Sequence, residues 1–315
     1  MAASLSMSIM ERMGELEAKD LVWIFGTGRS GSTWLAYMLG EPSGVIGEPV
    51  WWRENEEYRT KFWNEPLVGQ LFGRFYAEVP RRQLNRKGFI LSESTRKAWL
   101  DSLRHLVLGG AEALFPEVAG RGYLVVKEPN GSIGAPLLME AMPESPMVLL
   151  VRDPRDVAAS ALDRHRRGGI AHKKRSQNPQ SSRVTTANRA DNQPNAFIRG
   201  QAHRYATNLR QAWLAYKGHE GPKVLVRYEE LRADTLSVMR HAYSALNISV
   251  SEEELLRTVE KHSWENIPSE QKGQGKDRRK GTPGSWREDL TPRQVRIVEE
   301  ITAPLLKQFY GRSEN

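Results

Sequence analysis

The chain has 315 residues, 39% of them hydrophobic, and a formal net charge of +8, which is enough for one large domain with a full core. It has no cysteine, so disulfides, cysteine-ligated zinc and thiol catalysis are excluded; the seven histidines show no metal-ligand spacing, and no metal is expected. Mean hydropathy is −0.57, and no apolar run approaches the ~18–20 residues of a membrane span.

Residues 1–20 read as a polar or weakly helical lead-in without the basic-then-apolar order of a signal peptide, so a cytoplasmic protein is expected. Short aliphatic runs at Leu21–Phe25, 123–127, Met147–Val151 and Lys223–Arg227 have the composition of buried parallel strands. Helical patterns lie between them and beyond, at 96–115, 154–163, 196–217 and 291–309. In the last of these, Val295, Val298, Thr302, Leu305 and Phe309 recur every three or four residues and mark one apolar face. The alternation predicts an α/β fold of P-loop-like, three-layer type, with a central parallel sheet flanked by helices. One domain is expected over 21–311, interrupted by a polar insert at 164–194, which is either a lid or disordered, and by a basic loop at 269–286.

The sequence Gly26-Thr27-Gly28-Arg29-Ser30-Gly31-Ser32-Thr33 follows the first strand and opens a helix at Thr33-Trp34. Glycines let the backbone turn tightly, so that successive amides and the helix N-terminus face one anion. A nucleotide-triphosphate P-loop has lysine after its last glycine; here Ser32 holds that place and the cation is Arg29, inside the loop. A second cluster, Arg152 to Ser160, follows the third strand, where open α/β sheets place ligands. A third, Arg278-Arg279-Lys280-Gly281 with Gly284 and Trp286, sits in the basic loop.

Together the three clusters resemble, in order and over residues 20–310, the sulfotransferases that use 3′-phosphoadenosine 5′-phosphosulfate (PAPS). Thr27–Trp34 is similar to that family's 5′-phosphosulfate loop, with Arg29 in place of its lysine. Arg152 and Ser160, eight positions apart, are similar to its 3′-phosphate motif, and Arg279, Lys280 and Gly281 to the segment that closes over that phosphate. The resemblance implies PAPS as donor, adenosine 3′,5′-bisphosphate as product and no metal. It further implies that Trp34 and Trp264 stack on adenine, that Tyr228 touches its edge and that Lys127 lies near the transferred group. Each has a structural alternative: core aromatics for the tryptophans, a helix-start residue for Tyr228 and a strand-end charge for Lys127.

The chain departs from the family at the base. The histidine of cytosolic-type members is Pro129 here. Glutamate bases occur shortly after the first helix in other members, which makes Glu48 the leading candidate, with Glu128, beside Lys127, second. The aromatic residues Trp51, Trp52, Tyr58, Phe62, Trp63, Phe72, Phe75 and Tyr76 either wall an acceptor pocket or form the buried face of helices. The acceptor is expected to be a small-molecule, glycan or lipid hydroxyl; oligomeric state stays open, because Pro292 and Arg296 depart from the family's dimer motif. Two other classes compete: a P-loop kinase using ATP and magnesium, and a basic nucleic-acid-binding protein, for which no aromatic-plus-basic face is found.

Overall fold

The computed structural model describes residues 16–42, 62–64, 66–79, 81–86, 89–118, 122–166, 190, 192–273 and 280–311. In chain order its main elements are β1 (Leu21–Phe25), α1 (Ser32–Gly40), β2 (Phe62–Asn64), α2 (Val68–Glu78), α3 (Arg96–Leu114), β3 (Leu124–Lys127), α4 (Ala135–Ala141), β4 (Met147–Val151), α5 (Pro154–His165), α6 (Pro194–Gly218), β5 (Lys223–Arg227), α7 (Tyr228–Ala233), α8 (Thr235–Ala245), α9 (Glu252–Lys261) and α10 (Pro292–Tyr310).

The five strands are parallel, in the order β2-β3-β1-β4-β5. β1 is central: Trp23 pairs with Val126 of β3 on one side and with Met147 of β4 on the other. Because side chains alternate across a strand, β1 feeds two cores. Leu21, Trp23 and Phe25 pack with α3, α4 and α6, whereas Val22 and Ile24 pack with α1, α8 and α9. This is the expected three-layer arrangement, and burying each large aliphatic or aromatic side chain stabilises it by about 1.5–3 kcal/mol. A third core, under α5, the start of α6 and α10, supports the helix that carries Ser160.

Two details differ from the sequence reading. β2 is only Phe62-Trp63-Asn64, too short to carry a recognisable pattern, and it is defined by pairing with 125–127 of β3. The core also begins before residue 21: Leu16 and Ala18 are buried, and the Ala18 carbonyl accepts from Ser145 Oγ at 2.5 Å. Most of the insert expected at 164–194 lies outside the described residues. No helix among the described residues is long and apolar enough to cross a membrane.

His219, just past the end of α6, is buried and donates from Nε2 to the Ser145 carbonyl at 2.8 Å. Burial holds its pKa below the ordinary 6.5. The unfolded chain therefore takes up a proton that the folded chain resists. Its contribution to stability is complete above about pH 6.5 and is lost as pH falls towards the folded-state pKa. Urea unfolding between about pH 7.5 and pH 5 should show this loss, and His219→Gln should flatten it. An unchanged slope in the variant would assign the acid sensitivity to other groups.

Candidate active site

The carboxyl ends of β3, β1 and β4 meet where the chain crosses from one half of the sheet to the other, the position at which open α/β sheets bind ligands. The turn leaving β1 is held from both sides. The Gly26 amide donates to Ser132 Oγ at 2.9 Å, and a Cβ at Gly26 would lie 2.4 Å from the Leu150 carbonyl oxygen. Ser30 Oγ donates to the Thr27 carbonyl at 2.7 Å, closing the loop on itself. Gly31, at φ 93°, caps α1 without any side-chain acceptor for the first-turn amides. Those amides and the helix dipole suit an external anion. Thr27 Oγ1 is buried without a hydrogen-bond partner in the same loop.

Arg29 links the loop after β1 to the second cluster. Its backbone is left-handed, at φ 72°, and its Nε donates to Ser160 Oγ at 3.1 Å, across 131 residues of sequence. Arg152 Nη1 donates to the Arg29 carbonyl at 3.1 Å, its guanidinium lies 4.1 Å from the Tyr228 ring centroid, and Tyr205 Oη donates to its carbonyl at 2.7 Å. Arg152 Nε is buried without a partner. The loop after β1 and the arginine–serine pair after β4 thus form one basic site. Lys127, buried at the end of β3, donates from Nζ to Thr33 Oγ1 at 3.2 Å and so stands at the mouth of the cradle.

The aromatic candidates converge beside it. Trp34 Nε1 donates to the His262 carbonyl at 2.7 Å, and Tyr228 meets the Trp34 ring edge-on at 6.2 Å. A Cβ at Gly31 would lie 2.6 Å from Tyr228 Cδ2, so only glycine admits this approach. Tyr228 Oη donates to the Gly281 carbonyl at 3.3 Å. Gly281, at φ 66°, lies against Trp264, which a Cβ there would meet at 2.7 Å. Lys280 is turned towards Glu288 and Asp289, at 2.7 and 3.1 Å, instead of the site. Arg279 lies outside the described residues.

Two residues at this site escaped the sequence reading. Asp156, fully buried in α5, accepts from the amides of Gly284 and Trp286 at 2.7 and 3.0 Å and from Ser285 Oγ at 3.3 Å, which pins the return of the basic loop beside Ser160. Arg232, one helical turn after Tyr228, donates from Nε to the Gly281 carbonyl at 3.0 Å. The only sequence signal for either was spacing: four positions before Ser160 in one case and four after Tyr228 in the other, on the same helical face.

Glu128 is fully buried, and its Oε2 accepts from the Leu67 amide at 2.9 Å, at the start of α2. Glu48 lies outside the described residues, as do Trp51, Trp52 and Tyr58. Of the remaining aromatics, Trp63 packs against Phe115, and Phe72 and Tyr76 pack on the core that contains α3, while Phe75 is exposed. No group of three or more metal-binding side chains occurs among the described residues.

A parallel sheet with basic side chains and aromatic rings gathered at its switch point is thus in place. The sulfotransferase domain family matches residues 136–310, more than half of the chain, and the chain belongs to the sulfotransferase family that its motifs resemble. The match takes in Arg152, Ser160, Tyr228, Trp264, Lys280 and Gly281; the loop after β1 and Lys127 precede it. Among solved structures the fold is similar to mouse sulfotransferase SULT7A1 complexed with PAP, at 15% identity over 93% of this chain and 86% of that chain, with a TM-score of 0.52. It is also similar to sulfotransferase STF9 from Mycobacterium avium, at 14% identity over 94% of this chain and 78% of that one, with a TM-score of 0.54. Retinol dehydratase in a complex with retinol and PAP matches at 20% identity over 93% and 82% of the two chains, with a TM-score of 0.52. No curated protein matches the chain.

Proposed function

We propose that this sulfotransferase moves the sulfuryl group of PAPS to a hydroxyl of a small-molecule, glycan or lipid acceptor, with Glu48 as general base. The observation that carries the reading is the bond from Arg29 Nε to Ser160 Oγ, with Arg152 Nη1 on the Arg29 carbonyl. It joins two anion-binding clusters, distant in sequence, into one site that suits a ligand with phosphate groups at two ends. A kinase needs the lysine that Ser32 replaces.

In this reading the first-turn amides of α1, with Thr27, Ser30, Ser32 and Thr33, hold the 5′ end of the donor, and Arg152 and Ser160 hold the 3′-phosphate. Trp34 and Trp264 face the base, and Tyr228, already bonded to Gly281, links it to the covering loop that Arg279 and Lys280 flank. Lys280 would exchange Glu288 and Asp289 for phosphate as that loop closes. Bound PAPS supplies an activated sulfuryl group: an S–O bond forms to the acceptor oxygen, the S–O bond to the 5′-phosphate breaks, and adenosine 3′,5′-bisphosphate leaves. Lys127 and Arg29 place positive charge where the leaving phosphate gains negative charge, and Glu48 receives the acceptor's proton.

An acceptor with an apolar body is supported by Leu71 and Phe75, exposed one turn apart on α2, whose start Glu128 holds beside Lys127. The retinol in the retinol dehydratase complex is in keeping with such an acceptor.

A thermal-shift comparison tests the donor. Adenosine 3′,5′-bisphosphate without magnesium should raise the melting temperature, since a ligand at a hundredfold its Kd stabilises by about 2.7 kcal/mol. Stabilisation only by magnesium-ATP would instead indicate a kinase, and only by an oligonucleotide a nucleic-acid-binding protein. Incubation with PAPS and a panel of alcohols, read by the mass of the sulfated product, then identifies the acceptor.

A further inference from the structure

Arg232 stands in an unusual place for a surface-helix arginine. Its Cζ lies 5.8 Å from the Trp34 ring and 5.9 Å from the Trp264 ring, near the outer limit of about 6 Å for attraction to an aromatic face. Near-equal distances put the guanidinium close to the mid-plane between the two indoles. Its Nε is committed to the Gly281 carbonyl at 3.0 Å. Its terminal nitrogens pair with no carboxylate and donate to no other group among the described residues. The side chain is half-buried, so a charge with unused donors is held close to both tryptophans.

In the site reading given above, Trp34 and Trp264 bracket a base, and a base held between them lies in the same mid-plane. The guanidinium then meets the base at its edge, not at its face. The edge of a purine is where ring nitrogens carry in-plane lone pairs, and these accept from a planar cation. We infer that Arg232 reads the nucleobase of the donor, donating from Nη to a ring nitrogen while its Nε holds the covering loop at Gly281. The inference rests on the nucleotide reading of the site given above. It assigns Arg232 a role in specificity, separate from the stacking roles of Trp34 and Trp264.

The test is calorimetric binding of two probes, adenosine 3′,5′-bisphosphate and the base-free 1-deoxyribose 3,5-bisphosphate, to wild-type protein, Arg232→Met and Arg232→Lys. Methionine keeps length and apolar contact but cannot donate. Tyr228 still holds Gly281 in this variant, so the phosphates keep their loop. Arg232→Met should lower the ratio of nucleotide to base-free affinity by about 10- to 100-fold, the effect of one charge-assisted hydrogen bond. Arg232→Lys should restore part of that ratio, and the melting temperatures of the free proteins show that both variants fold. An unchanged ratio, whether both affinities fall together or neither moves, overturns the inference while the nucleotide reading stands. Failure of the wild-type protein to bind either probe overturns both.

Discussion

Glu48→Gln is expected to lower kcat by about 10²–10⁴, the range of a lost general base, and to leave the affinity for adenosine 3′,5′-bisphosphate unchanged. Glutamine has the same shape as glutamate but cannot take the acceptor's proton. The other groups at the site are poorly suited to do so. Lys127, bonded to Thr33, is a cation, and Pro129 stands where cytosolic-type members have histidine. Glu128 is the one rival. It is fully buried, with Oε2 on the Leu67 amide, and a Cβ on Gly131 would lie 1.7 Å from Oε1, so the carboxylate is packed between the start of α2 and the turn after β3. Glu128→Ala leaves the Leu67 amide without that acceptor, a loss of about 1–3 kcal/mol of stability. Single-turnover kinetics with saturating PAPS separate the two glutamates. Near-normal turnover in Glu48→Gln, with turnover abolished in Glu128→Gln, would move the base to Glu128.

The second large effect is expected at Asp156. Its Oδ2 takes the Gly284 amide, and its Oδ1 takes the Trp286 amide and Ser285 Oγ. Both oxygens accept, so the usual conservative change fails: in Asp156→Asn the new NH₂ group must face an N–H donor. Each buried donor left without an acceptor costs about 1–3 kcal/mol, and both Asp156→Asn and Asp156→Ala should therefore lose about 2–5 kcal/mol in chemical denaturation. The segment that returns from the basic loop also loses its anchor on α5, the helix of Ser160. Affinity for adenosine 3′,5′-bisphosphate should fall by about tenfold or more, since a loop that must first be ordered weakens binding. Asn and Ala variants as stable as wild type and equally tight for the nucleotide would show that the anchor does not matter.

The two expectations have different origins. The Glu48 expectation rests on its place after the first helix, and Glu48 lies outside the described residues. Asp156 was visible in sequence only as one charge in a helix start, Arg152-Asp153-Pro154-Arg155-Asp156. Its neighbour Asp153 does what such a position predicts, capping α5 by accepting from the Arg155 amide at 2.8 Å. Asp156 turns instead to a segment 128–130 residues away. Nothing local distinguishes the two carboxylates.

The same division runs through the molecule. Four of the five strands were legible because buried parallel strands are continuous aliphatic runs; β2 was not, because three residues carry no period and β3 alone makes them a strand. The loop from Gly26 to Thr33 was legible because a tight strand-to-helix turn requires glycine at particular backbone angles, a demand met within eight residues. The spacing of Arg152 and Ser160, and the tyrosine at the start of α7, were legible for the same reason: each is a short-range requirement of a strand end and the helix after it. What only the tertiary structure decided is where the polar side chains are used. Arg29 bonds Ser160, Arg232 bonds Gly281, Glu128 holds Leu67, and Lys280 faces Glu288 and Asp289 in place of the site. A partly buried charge must find a partner or lose its solvation, and the nearest partner is set by how the layers pack. The sequence by itself determined a glycine-rich turn and a helix start at the end of β1; the packing decided that Arg152, Ser160, the aromatic rings and Arg232 stand around it.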